Sequence, residues 1–132
     1  MRHGLLLFLF ALACSGCAAT ASSQTGAPAR PAAINHFVAF KLVNPADADE
    51  LIADCDAHLR TIPGVVSYFA GRHHETGRAS VYREYDVGFF VGFNSDEDYA
   101  VYVDHPNHVY VVQKWRPRLE WLRVYDVWDG ED

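Results

Sequence analysis

The sequence predicts an α+β fold of the ferredoxin-like kind: β-α-β-β-α-β, a four-stranded antiparallel sheet with its helices on one face, over residues 34–128. Three observations predict it. Residues 85–93 alternate, with Tyr85, Val87, Phe89, Val91 and Phe93 on one side and Asp86, Gly88, Phe90 and Gly92 on the other, the period of a strand. Leu51, Ile52, Cys55, Leu59 and Ile62 recur at helical spacing between Asn44-Pro45 and Pro63-Gly64. A second helical stretch opens at Ser95 and leads to a final strand, so two strand–helix–strand units follow one another, the split arrangement of a ferredoxin-like sheet.

Each element has a local reason. In residues 34–42, Ile34, His36, Val38 and Phe40 share one face of a first strand. Pro45 suits the first turn of the helix that follows, and Pro63-Gly64 ends it. Residues 65–71 form a second strand, and the polar stretch 72–83, with Gly77, connects it to the alternating strand. Two glycines on one face of that strand predict that something packs close against it. Ser95 is an N-cap, and Asp96, Glu97 and Asp98 suit the positive end of a helix. Pro106 removes the hydrogen bond to the Tyr102 carbonyl and pushes His105 out of helical geometry, so a second helical piece restarts there. Residues 121–128 are the last strand.

The helices cover one sheet face. The other carries Phe37, Phe90, the glycines, Trp121 and Tyr125, diluted by Asn35, Lys41 and Arg123. An apolar sheet face is a partner surface, so a two-fold homodimer through that face is expected.

The chain has 132 residues, 11 basic against 17 acidic and a formal charge of −6. That length allows one domain, and the acidic balance argues against a nucleic-acid partner. Residues 4–13 form an apolar run too short to span a bilayer and of the length of a secretory h-region. It ends in Cys14-Ser15-Gly16-Cys17, similar to a bacterial lipobox with Cys14 where leucine is usual. Residues 1–16 are therefore expected to be a signal peptide, Cys17 a lipidated cysteine, 17–33 a flexible tether outside the core, and 129–132 an acidic tail. The protein is then exported, anchored to the membrane only through its lipid, on the periplasmic side of an outer membrane; an ordinary cleaved signal, leaving it periplasmic or secreted, is the alternative. Cys55, between Asp54 and Asp56 on a helix's apolar face, is expected to be a buried inert thiol.

Several blocks together resemble one family: the opening strand 35–41, Ile62-Pro63-Gly64-Val65, the strand from Tyr85-Asp86 to Phe93, and Tyr102-Val103-Asp104-His105-Pro106-Asn107-His108, a Y-x-x-H-P-x-H run. The chain is similar over residues 34–128 to the stress-responsive α/β-barrel (Dabb) family. The resemblance implies a ferredoxin-like protomer and a dimer whose two sheets form a barrel. A plant polyketide cyclase of that family closes and aromatises its substrate without a cofactor, through a tyrosine and a histidine of this run. The resemblance puts those roles on Tyr102 and His108, with His36 lining the same cavity. Val87 stands where the cyclase has a further pocket histidine.

The residues allow three readings. The first is a site for a small apolar or aromatic molecule near His36, Tyr102 and His108, walled by Val38, Phe40, Phe89 and Val111. The second is a cofactor-free lyase or cyclase with His108 and Tyr102 as acid/base pair. In that reading the positive helix end lowers the His108 pKa. The third is a structural stress protein, in which His36 and His108 bond each other or backbone as satisfied core histidines. His105 is expected to cap the helix break, and His73-His74-Glu75 to be a loop charge cluster rather than a metal site. No dinucleotide, P-loop, zinc-protease or nucleophile-elbow motif is present, and neither a cofactor nor a metal is expected.

Overall fold

The computed structural model describes residues 26–129. The chain runs through strand β1 (Ile34–Leu42), helix α1 (Ala48–His58), strands β2 (Ser67–Arg72) and β3 (Val87–Phe93), helices α2 (Asp96–Asp104) and α3 (Pro106–Trp115), and strand β4 (Leu119–Trp128). The expected signal region, Cys17, the first part of the tether and residues 130–132 lie outside the described residues. The strand order is β2-β3-β1-β4 with every neighbouring pair antiparallel, a ferredoxin-like sheet.

Over β3 the helix side of the sheet is a packed apolar layer. Val87, Phe89, Val91 and Phe93 of β3 are buried against Leu51 and Cys55 of α1, with Tyr102 of α2 and Val111 and Trp115 of α3. The Ser95 hydroxyl accepts from the Asp98 N–H at 3.1 Å and caps α2. A surface ion-pair network ties α1 to the end of α3: Lys114 to Glu50 and Asp54, and Arg118 to Asp47 and Glu50. The Arg118 guanidinium lies 4.0 Å over the buried Trp115 ring, whose Nε1–H donates to Asp54 at 2.7 Å.

The second helix is two helices, and Pro106 explains how they join. Lacking an N–H, Pro106 leaves the Tyr102 carbonyl to the His105 N–H, 3.2 Å away, and His105 is extended (φ −65, ψ 136). His105 Nδ1 accepts from the Asn107 N–H at 3.2 Å, so His105 caps the new helix. In an unbroken helix that N–H would meet the Val103 carbonyl; here the His108 ring takes the carbonyl instead, at 2.9 Å.

On the opposite sheet face Phe37 stands between Phe90 and Tyr125 across the strands, and Phe90 faces Phe69. Phe69 and Val127 extend the apolar face beyond the residues the sequence pattern suggested, and Phe69 is 63% exposed. The tether expectation needs a correction at its end. Ala32 is buried, and a Cβ built on Gly92 would lie 2.5 Å from the Ala32 methyl and 2.2 Å from Ser67 Oγ. Gly92 is thus the notch that seats the chain before β1. Asn35 Nδ2 donates to the Ala32 carbonyl at 2.9 Å, the Asp129 N–H donates to the Ala33 carbonyl at 2.7 Å, and Arg30 pairs with Asp129. The packed structure therefore includes residues just before 34, and Asp129 of the expected tail belongs to it.

Candidate functional site

Helix α1 packs on β2 and β3 and α2 on β3, which leaves the β4 side of the helix-facing surface uncovered. Leu122 and Val124, which face Phe40 and Val38 across the ladder, are 40% and 45% exposed. Under α2 and α3 this gap becomes a cavity of about 340 Å³, at the small end of the range for small-molecule sites. Its floor is β1 and β4, and its roof is Tyr99, Tyr102 and Val103 of α2 with His108, Val111 and Trp115 of α3. The structure brings His36, Tyr102 and His108 together on this one cavity, and Val38, Phe40, Phe89 and Val111 line it as well. Strand parity turns His36 inward, and the break at Pro106 lets a side chain from each helix reach the same space.

Tyr102 and His108 are in contact, with ring centroids 4.6 Å apart, and His36 lies 6.4 Å from Tyr102. His108 donates Nδ1–H to the Val103 carbonyl at 2.9 Å, which fixes the neutral tautomer with Nε2 as acceptor. Its pKa is lowered chiefly by burial, with His36 adding to the effect and the Val103 carbonyl opposing it. The expected direction thus holds, but desolvation rather than the helix end is its leading cause. Burial also pushes the Tyr102 hydroxyl well above the ordinary phenol value, so it stays protonated and able to donate.

His36 is held by two residues the sequence reading did not single out. Its Nδ1 lies 2.6 Å from Asp126 Oδ1, and the Tyr99 hydroxyl sits 3.0 Å from the same nitrogen. Tyr99 donates to the Asp126 carboxylate, whose oxygens are 3.2 and 3.3 Å away, and its own pKa is pushed up to about 12 by burial and then by Asp126. Phe93 stacks on Tyr99 with ring centroids 5.0 Å apart and fixes that arrangement. The signal for Asp126 was present: it is the one acid on the alternation Leu122, Val124, Asp126, Trp128, and it pairs with His36 in the β1–β4 register. Tyr99 stands one helical turn before Tyr102. Of the expectation that His36 and His108 bond each other or backbone, His108 meets the backbone alternative through the Val103 carbonyl, whereas His36 bonds the Asp126 carboxylate.

Three further groups singled out in the sequence lie away from this cavity. Burial, with Asp54 and Asp56 beside it, pushes the Cys55 thiol up to about 12. Glu75 accepts from the Gly77 N–H and pairs with Arg83, and among the described residues no group of side chains is arranged to hold a metal. Trp121 packs against Arg123 and Tyr82 on the other sheet face.

Solved structures of similar fold include a Dabb family protein of Mesorhizobium loti, 27% identical, covering 74% of this chain and 97% of that chain at a TM-score of 0.62. A dimeric ferredoxin-like protein of Thermobifida fusca is 21% identical, covering 72% of this chain and 89% of that one at 0.61. Hydroxynitrile lyase from Passiflora edulis is 17% identical, covering 78% and 98% at 0.61. At the identities of the last two, the likeness shows the fold alone. No curated protein matches the chain. The sequence profile of one family, the stress responsive A/B barrel domain or Dabb, matches residues 34–129. With the β-α-β-β-α-β sheet and the Tyr102–His108 run in place on it, the chain belongs to the Dabb family.

Proposed function

We propose that the protein binds a small apolar or aromatic molecule in the cavity between its helices and β4. The observation that carries this reading is the cavity itself: a space of about 340 Å³ with an apolar wall, onto which His36, Tyr102 and His108 converge from three elements. A purely structural role needs no such void, because cores close-pack. Protein purified from its own host and weighed under native conditions should carry one molecule per chain, and Val111→Trp, which fills the cavity, should carry none. A wild-type chain that arrives empty overturns the reading.

A second reading, a cofactor-free lyase or cyclase, is favoured by one specific pair. His108 offers a neutral Nε2 that can take a proton from a carbon beside a carbonyl, and Tyr102, kept protonated, can donate to the carbonyl oxygen. His36, its Nδ1 turned to Asp126, presents its other ring nitrogen as a further group for the bound molecule. We further propose that the domain works as a homodimer through its open sheet face. The relatives described as dimeric support this, as does the row Tyr125, Phe37, Phe90, Phe69. Export and a lipid on Cys17 remain part of the proposal, supported by residues 4–17. Cys17→Ser should move the protein from the membrane fraction to the soluble one; unchanged fractionation overturns the anchor.

A further inference from the structure

We infer that the molecule in this cavity is an organic anion, its carboxylate held by Arg116 at the mouth and its apolar body inside; this rests on the pocket reading above. The chain carries 17 acidic residues against 11 basic ones, yet the cavity is lined by one permanent cation, Arg116, and by no carboxylate. The cations on either side of it are already engaged. Lys114 turns to Glu50 and Asp54, and Arg118 to Asp47 and Glu50, so both are spent on fastening α1. Arg116, an exposed residue, has no acidic partner among the described residues and is one of those that line the cavity. The negative end of α3 accommodates a cation here, but that role does not require it to face the void.

A guanidinium is charged at every working pH, and its planar fork matches a carboxylate. Away from Arg116 the cavity offers an anion no second permanent cation, and His36 Nδ1 is already taken by the Asp126 carboxylate. The bound molecule is thereby given a direction, with its charge at Arg116 and its uncharged end toward His36, Tyr102 and His108. His108 and Arg116 are separated by roughly 12 Å of helical rise. At roughly 30 Å³ for each water-sized group, the volume takes roughly a dozen non-hydrogen atoms. Those limits describe a medium-chain or arylalkyl carboxylate.

Calorimetric titration of the full chain with octanoate and with octanamide tests this, because the two differ in charge and hardly in shape. Octanoate should bind at least about tenfold more tightly, a difference of roughly 1.4 kcal/mol. Arg116→Gln should erase that preference, and Arg116→Lys should keep most of it. Equal affinity for the two probes, or a preference that survives in Arg116→Gln, overturns the anion assignment and leaves the pocket reading standing. Failure of both probes to bind, with Val111→Trp behaving as wild type, overturns the pocket reading together with this inference.

Discussion

Burial of the His108 ring has a consequence in solution. Its pKa in the folded chain lies below the ordinary imidazole value of about 6.5, so below that pH the unfolded chain binds a proton that the folded chain resists. By linkage, the contribution of His108 to stability is complete above about pH 6.5 and is lost as the pH falls toward the folded value. Melting temperatures measured between pH 7.5 and 5 should therefore drop more steeply in wild type than in His108→Gln, which cannot titrate. Parallel curves would show that the ring is not desolvated. Asp126 acts on the other histidine by geometry. With one carboxylate oxygen 2.6 Å from Nδ1 and the Tyr99 hydroxyl beside it, it fixes the His36 ring. Asp126→Asn keeps the shape but loses the charge on a half-exposed carboxylate, and should cost about 0.5–1 kcal/mol in chemical denaturation. A loss well under that range would show that the pair is too well solvated to contribute.

At the scale of elements, two close packings shape the molecule. Pro106 divides what would be one long helix, and the freed Val103 carbonyl becomes the partner that fixes the His108 tautomer. The same break that bends the chain thus orients the His108 ring. Gly92 admits the chain before β1 onto the sheet, since any side chain there would meet Ala32 and Ser67. Gly92→Ala should destabilise by about 1–3 kcal/mol through overpacking, and should speed proteolysis near Arg30, because the seat of Ala32 is lost. Gly88 lies on the same face, but an added Cβ there would touch Phe37 at an ordinary 3.5 Å. Gly88→Ala should be close to neutral, and equal effects of the two substitutions would contradict the notch.

For the whole molecule the question is what covers the open sheet face. Phe37, Phe69, Phe90 and Tyr125 form a continuous row across all four strands, and Phe69 and Tyr125 are 63% and 51% exposed. A second copy related by a two-fold axis would bury that row against itself. Phe90→Asp places an unpaired charge at its centre and should shift sedimentation from dimer to monomer, a cost of roughly several kcal/mol. Glu75→Ala, in the exposed 72–83 segment, should leave the dimer intact. A Phe90→Asp protein that still sediments as a dimer would show that the interface lies elsewhere.

Local rules in the sequence determined the order of elements and their faces. Alternation placed Val87, Phe89, Val91 and Phe93 inside, helical spacing placed Leu51 and Cys55, and Pro106 marked the break, because each depends on neighbours a few residues away. The Tyr102–His108 run was legible for the same reason, and its resemblance to a family brought His36 into view. Contacts between distant segments were decided by the tertiary structure. The Asp126 carboxylate meets His36 only because β4 pairs with β1 in one register, and a slip by one residue would turn Asp126 to the other face. Ala32 became part of the packed domain only because Gly92 is opposite it, which composition cannot reveal. Arg116 looks in sequence like its neighbours Lys114 and Arg118; which of the three faces the cavity depends on where α1 puts its acids. The cavity itself is the largest such decision, because a void exists only as a difference between packed surfaces, and no single segment encodes it.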